Sequence, residues 1–109
     1  LENVYGNLVS MAELAKVNNI KVIFCSVMPA YDFPWRPGMK PADKVIQLNK
    51  WIKEYADKNG LTYVDYHSAM KDERNGLPAN LSKDGVHPTL EGYKIMEKIV
   101  LEAIHKTVK

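Results

Sequence analysis

Two short apolar runs constrain the fold of this chain more than any other feature. Residues 20–27 and 61–66 are rich in β-branched and aromatic side chains, and neither run alternates regularly with polar residues. Such runs are typical of strands covered on both faces, as in a parallel sheet. We therefore predict two short strands whose neighbours lie on both sides of the sheet.

Apolar residues at helical spacing precede, separate and follow these two runs. The first stripe, closed by Asn18 and Asn19, comprises Val4, Leu8, Met11, Ala12 and Ala15. The second stripe, closed by Asn59 and Gly60, comprises Val45, Leu48, Asn49, Ile52, Tyr55 and Ala56. The third stripe, in a helix that Thr89 is expected to cap, comprises Tyr93, Met96, Ile99, Val100, Ala103 and Ile104. A helical turn near residues 68–72 is expected within the connection 67–88.

The predicted order is helix, strand, helix, strand, helix, which indicates a parallel sheet with right-handed crossover helices. Two apolar strands make an incomplete sheet, and the sequence opens inside an amphipathic pattern without an initiating Met. We therefore expect the fold class to be α/β, with residues 1–109 forming the C-terminal half of a doubly wound domain. An open sheet edge of this kind also predicts self-association.

Composition excludes several classes of function. Apolar residues make up 46% and charged residues 26% of the chain, as in ordinary globular proteins. The net charge of +2 is spread evenly, so we expect neither nucleic-acid nor membrane-surface binding. No apolar run approaches the length of a membrane span. Cys25, the single cysteine, is predicted to be a small buried hydrophobe.

Asp84 and His87 form the pair that carries chemistry. A carboxylate three residues before an imidazole can accept the Nδ1 proton if the backbone between them turns tightly, and Gly85 permits that turn. Pro88 disfavours a helical conformation at His87, so the imidazole is expected to project from a loop. This is the base-and-orienter half of a nucleophilic triad. The plainer interpretation is a turn followed by an exposed histidine.

Residues 84–93, with Asp84 and His87 followed by Pro88 and then by Gly92-Tyr93, resemble the last conserved block of the GDSL-like, or SGNH, hydrolases. Residues 21–29 resemble the family's fourth strand and the Pro-containing loop after it. Residues 45–65 resemble its next helix and fifth strand, including an Asn at position 49 on the helix. The resemblance covers nearly the whole chain in the family's order.

That resemblance implies a flavodoxin-like three-layer α/β/α sandwich that hydrolyses carboxylic esters without a metal or other cofactor. The family's Ser lies in a Gly-Asp-Ser motif and its oxyanion hole uses Gly and Asn residues near earlier strands; none of these motifs occurs here. Only the roles of Asp84 as orienter and His87 as general base and acid carry over. We expect the Ser to lie upstream of this chain. The chain by itself is then expected to be inactive. The resemblance also suggests a secreted or periplasmic location.

Other residues offer weaker candidates for catalysis. Ser26 sits near the end of the first strand but lacks a Gly-x-Ser-x-Gly turn and a helix that follows it. Ser82 precedes Asp84 too closely to complete a triad with it. Asp65 and His67 could join the Asp84 pair in a metal cluster, but no supporting ligand motif is present. Asp65 is expected instead to support the loop of His87 or to cap the next turn.

The proline-rich loop 29–41 follows the first strand and carries several aromatic side chains. Loops at the carboxyl ends of parallel strands commonly bind ligands. We therefore predict Trp35 and Arg36 as substrate-binding residues for a small ester, with acyl groups on sugars favoured. The alternatives are an apolar cap over the sheet edge, or a non-catalytic α/β module that binds carbohydrate or a protein partner through this loop.

Overall fold

The computed structural model describes residues 1–108, which form four helices and two strands; helix and strand alternate up to the second strand, and two helices follow it. The helices are α1 (Glu2–Val17), α2 (Ala42–Lys58), the short α3 (Tyr66–Met70) and α4 (Leu90–Thr107). The strands are β1 (Ile23–Cys25) and β2 (Thr62–Val64). The predicted element order is confirmed, although each strand is three residues long and thus shorter than its apolar run.

The two strands pair in parallel, as predicted, and Phe24 lies opposite Tyr63. One further ladder bond extends the pairing, since Ser26 N–H donates to the Val64 carbonyl at 2.8 Å. Helix α2 is the crossover between β1 and β2 and contacts both strands, while α4 packs against both as well. The carboxyl ends of the strands therefore lie side by side, and the loops that follow them meet at one edge.

The core lies between β2, α3 and α4. Its buried members are Val64, Tyr66, Met70, Leu77 and Leu81. Helix α4 adds Ile95, Met96, Ile99, Val100 and Ala103. The predicted stripe was wrong at two positions, because Tyr93 is 54% exposed and Ile104 37%. The helix is rotated so that Gly92 faces inward, where a Cβ would lie 3.0 Å from the Leu81 carbonyl oxygen. This close approach brings α4 against the loop before it.

The prediction that Cys25 is a buried hydrophobe was wrong, because its side chain is exposed. Cys25 is the last residue of β1, and the strand pairs with β2 along only one edge in the described chain. Its nearest polar contact is the Tyr66 hydroxyl, 3.8 Å from Sγ. The expectation of cover on both faces therefore fails for the end of this strand.

Helix α1 turns only part of its predicted stripe inward. Ala12 is buried and Leu8 and Ala15 are half-buried, but Val4 and Met11 are 49% and 64% exposed. No helix among residues 1–108 is both long and apolar enough to cross a membrane. Self-association through the open side of β1 and these exposed apolar residues stays a prediction.

Candidate active site

The loop between Ser82 and Pro88 folds around the carboxylate of Asp84. Its Oδ1 accepts the backbone N–H groups of Val86 and His87, at 2.9 and 2.8 Å. Its Oδ2 lies 2.6 Å from the Nδ1 of the His87 ring. Gly85 has a φ of +82°, the left-handed conformation that the tight turn was expected to need. The local geometry inferred from the spacing of Asp84 and His87 is therefore present.

These hydrogen bonds hold the pKa of the Asp84 carboxyl well below its usual value of 3.8. The backbone N–H of His87 is the largest cause, followed by its imidazole and then by the Val86 N–H. An ionised Asp84 accepts a hydrogen bond from Nδ1–H, which leaves Nε2 as the ring nitrogen able to accept a proton. The imidazole side chain is 72% exposed, so a substrate can reach it.

Ser82 stabilises this loop through hydrogen bonds of its buried hydroxyl. Its side chain is buried, with 2% of the residue exposed, and its hydroxyl accepts the Gly85 N–H at 2.9 Å. The hydroxyl has one proton to donate, to the His87 carbonyl at 2.8 Å or to Asp84 Oδ1 at 3.2 Å. A hydroxyl engaged in this way is not placed as a nucleophile. The sequence offered Ser82 only as a nucleophile candidate, and its position two residues before Asp84 gave no sign of this structural role.

A second loop, between Asp32 and Lys40, is also organised by one carboxylate. Asp32 accepts the backbone N–H groups of Phe33 and Gly38 at 2.9 Å and of Lys40 at 3.1 Å. These bonds, with Gly38 the largest cause, lower the pKa of Asp32. The loop carries the aromatic residues singled out in the sequence, and its carboxylate anchor explains how a segment without regular structure keeps a defined shape.

Trp35 lies beside the imidazole of His87. The two ring centroids are 6.0 Å apart, and the other neighbour of the indole is Phe33, stacked at 5.2 Å with an interplanar angle of 12°. Trp35 remains 59% exposed. The structure thus brings one of the two predicted substrate-binding residues to the Asp84–His87 pair, where a flat apolar face meets a proton acceptor.

Arg36 is placed differently. It is exposed, its backbone N–H closes a turn onto the Phe33 carbonyl at 3.1 Å, and it does not line the cavity beside Asp84. The guanidinium in that cavity belongs to Arg74, which lies 4.4 Å above the ring of Tyr31. Sequence analysis missed Arg74 because it sits in the connection 67–88, where no periodicity marks which side chains face a site.

The cavity has a volume of about 280 Å³ and lies where three loops meet. The loop of Asp32 contributes aromatic and proline side chains, the loop of Asp84 contributes its carboxylate and Gly85, and the segment 72–77 contributes Arg74 and Leu77. In this third segment Asp72 accepts the N–H groups of Arg74 and Gly76 at 2.9 and 3.0 Å. All three walls are therefore built on a carboxylate that accepts backbone N–H groups.

The remaining sequence candidates have structural roles. Asp65 caps α3, accepting the Ser68 N–H at 3.0 Å, so the second of its two predicted roles is confirmed. Ser26 is buried and its hydroxyl accepts the His67 N–H at 3.0 Å. His67 is buried, and burial lowers its pKa. Residues 1–108 contain no group of three potential metal ligands.

Asn49, noted in the sequence on α2, bridges that helix to the start of the aromatic segment. Its side-chain oxygen accepts the Val27 N–H at 2.7 Å and its side-chain nitrogen donates to the Val27 carbonyl at 3.0 Å. The side chain satisfies both backbone groups just where the ladder of β1 ends. This contact fixes the direction in which the chain leaves the sheet towards loop 29–41.

Comparison with known proteins identifies the family. The model of the GDSL-like Lipase/Acylhydrolase family matches residues 1–95. The chain belongs to this family. Among solved structures, a GDSL-like lipase from Bacteroides thetaiotaomicron is 48% identical with a TM-score of 0.94, over 98% of this chain and 53% of that one. A candidate acylhydrolase from Bacteroides fragilis is 45% identical with a TM-score of 0.96, over 99% and 53%.

The GDSL-like chain is also 29% identical over 85 residues to an acetylxylan esterase from Xylanibacter ruminicola, covering 77% of this chain and 16% of that protein. It thus spans about half the length of the two solved relatives and a smaller part of the esterase. The neighbours confirm the predicted α/β class as part of an α/β hydrolase sandwich. Membership of this family does not favour the alternative of a non-catalytic binding module.

Proposed function

We propose that this chain supplies the acid–base half of the active site of a GDSL-like ester hydrolase. His87 is the general base and acid, and Asp84 orients it. The observation that carries the proposal is the 2.6 Å contact between Asp84 Oδ2 and His87 Nδ1 in a loop where the imidazole is exposed. The nucleophilic Ser and the oxyanion donors come from a segment N-terminal to these 109 residues.

The chemistry follows from the tautomer that Asp84 enforces. His87 Nε2 accepts the hydroxyl proton as the Ser oxygen attacks the ester carbonyl, and it returns that proton to the leaving alcohol. A water molecule then attacks the acyl-enzyme while His87 takes its proton and returns it to the Ser oxygen, which releases the acid and restores the Ser hydroxyl. Throughout, the carboxylate of Asp84 stabilises the imidazolium, and its own low pKa keeps it ionised.

Trp35 extends this proposal to the substrate. Its exposed indole, stacked on Phe33 and adjacent to the His87 ring, suits the apolar face of a sugar whose ester oxygen is to be protonated. An acyl group on a sugar is therefore the substrate class that we favour, and the resemblance to an acetylxylan esterase supports it. Arg36 is exposed and lies outside the cavity wall, so this proposal assigns it no contact with the sugar.

The direct test is His87→Ala in the full-length protein, assayed with p-nitrophenyl acetate and with an acetylated sugar. We expect kcat to fall by about 10³-fold or more on both esters, because general acid–base catalysis and activation of the nucleophile are lost together. The matched control is His105→Ala, an exposed histidine in the last turn of α4, which should keep normal turnover. Near-normal kcat in His87→Ala refutes the proposed role.

A further inference from the structure

The cavity beside Asp84 has a wall that the proposed acid–base chemistry does not use. Gly76 packs so closely on Tyr31 that a Cβ at this glycine would lie 2.8 Å from the Tyr31 Cβ. Because Gly76 has no side chain, the segment 72–77 can approach the aromatic loop this closely. In consequence the guanidinium of Arg74 lies over the ring of Tyr31, 4.4 Å from its centroid.

This arrangement leaves the donors of Arg74 available. The guanidinium carbon lies 4.4 Å from the centroid of the Tyr31 ring, a cation–π contact that leaves the N–H donors free to bind another group. Within residues 1–108 no carboxylate forms an ion pair with Arg74. Its backbone N–H is already fixed by Asp72, so the residue is positioned from both its main chain and its side chain. A forked donor held this way is prepared to bind two neighbouring oxygen atoms.

The charges of the cavity lining decide which kind of oxygen atom Arg74 can bind. Two carboxylates, Asp32 and Asp84, line the same cavity as the single guanidinium, so an anionic ligand would meet net repulsion. Asp32 already accepts three backbone N–H groups, and Asp84 is engaged with His87. Hydroxyl groups are the neutral ligands that present paired oxygens to a guanidinium and can also donate to a carboxylate. A volume of about 280 Å³ suits a small ligand.

We propose that this cavity is a subsite for a neutral sugar, in which Arg74, held on the face of Tyr31, binds a pair of hydroxyl groups. The aromatic and proline side chains of the Asp32 loop pack against the ring of the sugar. The inference rests on the proposed hydrolase function in one respect. The bound sugar either carries the ester or is linked to the sugar that carries it. Arg74, and not the Arg36 predicted from the sequence, is then the specificity-determining arginine.

Binding can be tested without turnover. In the full-length protein labelled with ¹⁵N, the Nε signals of the arginines and the indole signal of Trp35 are followed while xylobiose or glucuronate is added. We expect xylobiose to shift the Arg74 signal and glucuronate to bind more weakly. Arg74→Ala should weaken xylobiose binding about tenfold or more, and Arg74→Lys should recover only part, because an ammonium lacks the planar fork.

A matched control variant makes this test specific to the subsite. Arg36→Ala, which removes an exposed arginine outside the cavity lining, should bind xylobiose as the unmodified protein does. If Arg74→Ala binds xylobiose normally, or if glucuronate binds more tightly than xylobiose, the neutral-sugar subsite is refuted. Either result leaves the role of His87 untouched, since that role is judged by kcat alone.

Discussion

The loop of Asp84 and the loop of Asp32 are built by the same device and differ in what the carboxylate has left to offer. Asp32 directs both of its oxygens to backbone N–H groups, three in all, and so defines only the shape of its loop. Asp84 gathers two backbone N–H groups on Oδ1 and keeps Oδ2 for the imidazole of His87. One oxygen shapes the loop, and the other holds the imidazole ring of His87.

This difference shows how a carboxylate that holds a loop can bind a second partner at little structural cost. A carboxylate that holds a turn is already desolvated in part and already ionised, so a second partner on its other oxygen meets a prepared acceptor. The loop of Asp32 then serves the same site indirectly, since it carries Trp35 to within 6.0 Å of His87. Removing the charge from each aspartate should separate the two kinds of contribution.

Replacing each aspartate by asparagine gives the largest contrast. Asp84→Asn should lower kcat of the full-length enzyme by about 10⁴-fold, because an amide that donates to Nδ1 selects the wrong imidazole tautomer. Asp32→Asn should change kcat by about tenfold at most and act mainly on KM, through the position of the aromatic loop. Steady-state kinetics on an acetylated sugar measure both values. Equal losses of kcat in the two variants would contradict the division of roles.

Ser82 gives the next largest effect. Ser82→Ala removes the buried acceptor of the Gly85 N–H and the donor to the His87 carbonyl. We expect the free energy of unfolding to fall by about 1–3 kcal/mol, the cost of a buried group left without a partner. Urea unfolding measures this loss. Ser68→Ala, at an exposed serine of α3, is the control and should lie within about 0.5 kcal/mol of the unmodified chain.

For Ser82 a positioning role also predicts a change that stability alone does not explain. With the serine absent, the loop loses its hydrogen bond to the His87 carbonyl, so the contact between Asp84 Oδ2 and His87 Nδ1 should loosen. The ¹H NMR signal of the His87 Nδ1–H in Ser82→Ala and Ser82→Thr tests this, with Thr expected to restore the unmodified signal. An unchanged signal in Ser82→Ala would restrict Ser82 to a purely structural role.

Two glycines allow the same comparison at the level of the backbone. Gly85 and Gly38 both have positive φ, +82° and +91°, and a Cβ at either would meet nothing within 4 Å. Alanine at each position should therefore destabilise the chain by a similar amount, about 1–2 kcal/mol, from backbone strain alone. Thermal or urea unfolding measures that shared cost. Only Gly85→Ala should also lower kcat, because its turn sets the distance between Asp84 and His87.

Sequence reasoning reached the Asp84–His87 geometry because both residues and the glycine between them are local in the chain. It also gave the helix cap at Thr89, whose hydroxyl accepts the Gly92 N–H. It failed for Arg74 and Cys25, whose surroundings are set by segments distant in sequence. The approach of Gly76 to Tyr31 depends on how two irregular loops pack, and no periodic pattern records such packing. The predicted burial of single side chains on α1 and α4 was wrong for the same reason.

The smallest expected effect concerns acid stability. Asp84 and Asp32 both have a pKa below the usual 3.8 in the folded chain, so each favours folding at pH values above 3.8. That contribution disappears as the pH falls below 3.8 through the depressed values, because the unfolded chain takes up the proton first.

The urea midpoint should thus drop between about pH 6 and about pH 3. Both asparagine variants should drop less than the unmodified chain, since hydrogen bonds from backbone N–H groups are the leading cause of the low pKa in each loop. Curves parallel to that of the unmodified chain would show that neither carboxylate is held ionised by its loop. A smaller drop for Asp84→Asn alone would assign the effect to the imidazole, whose contact with Oδ2 is the one feature that the loop of Asp32 lacks.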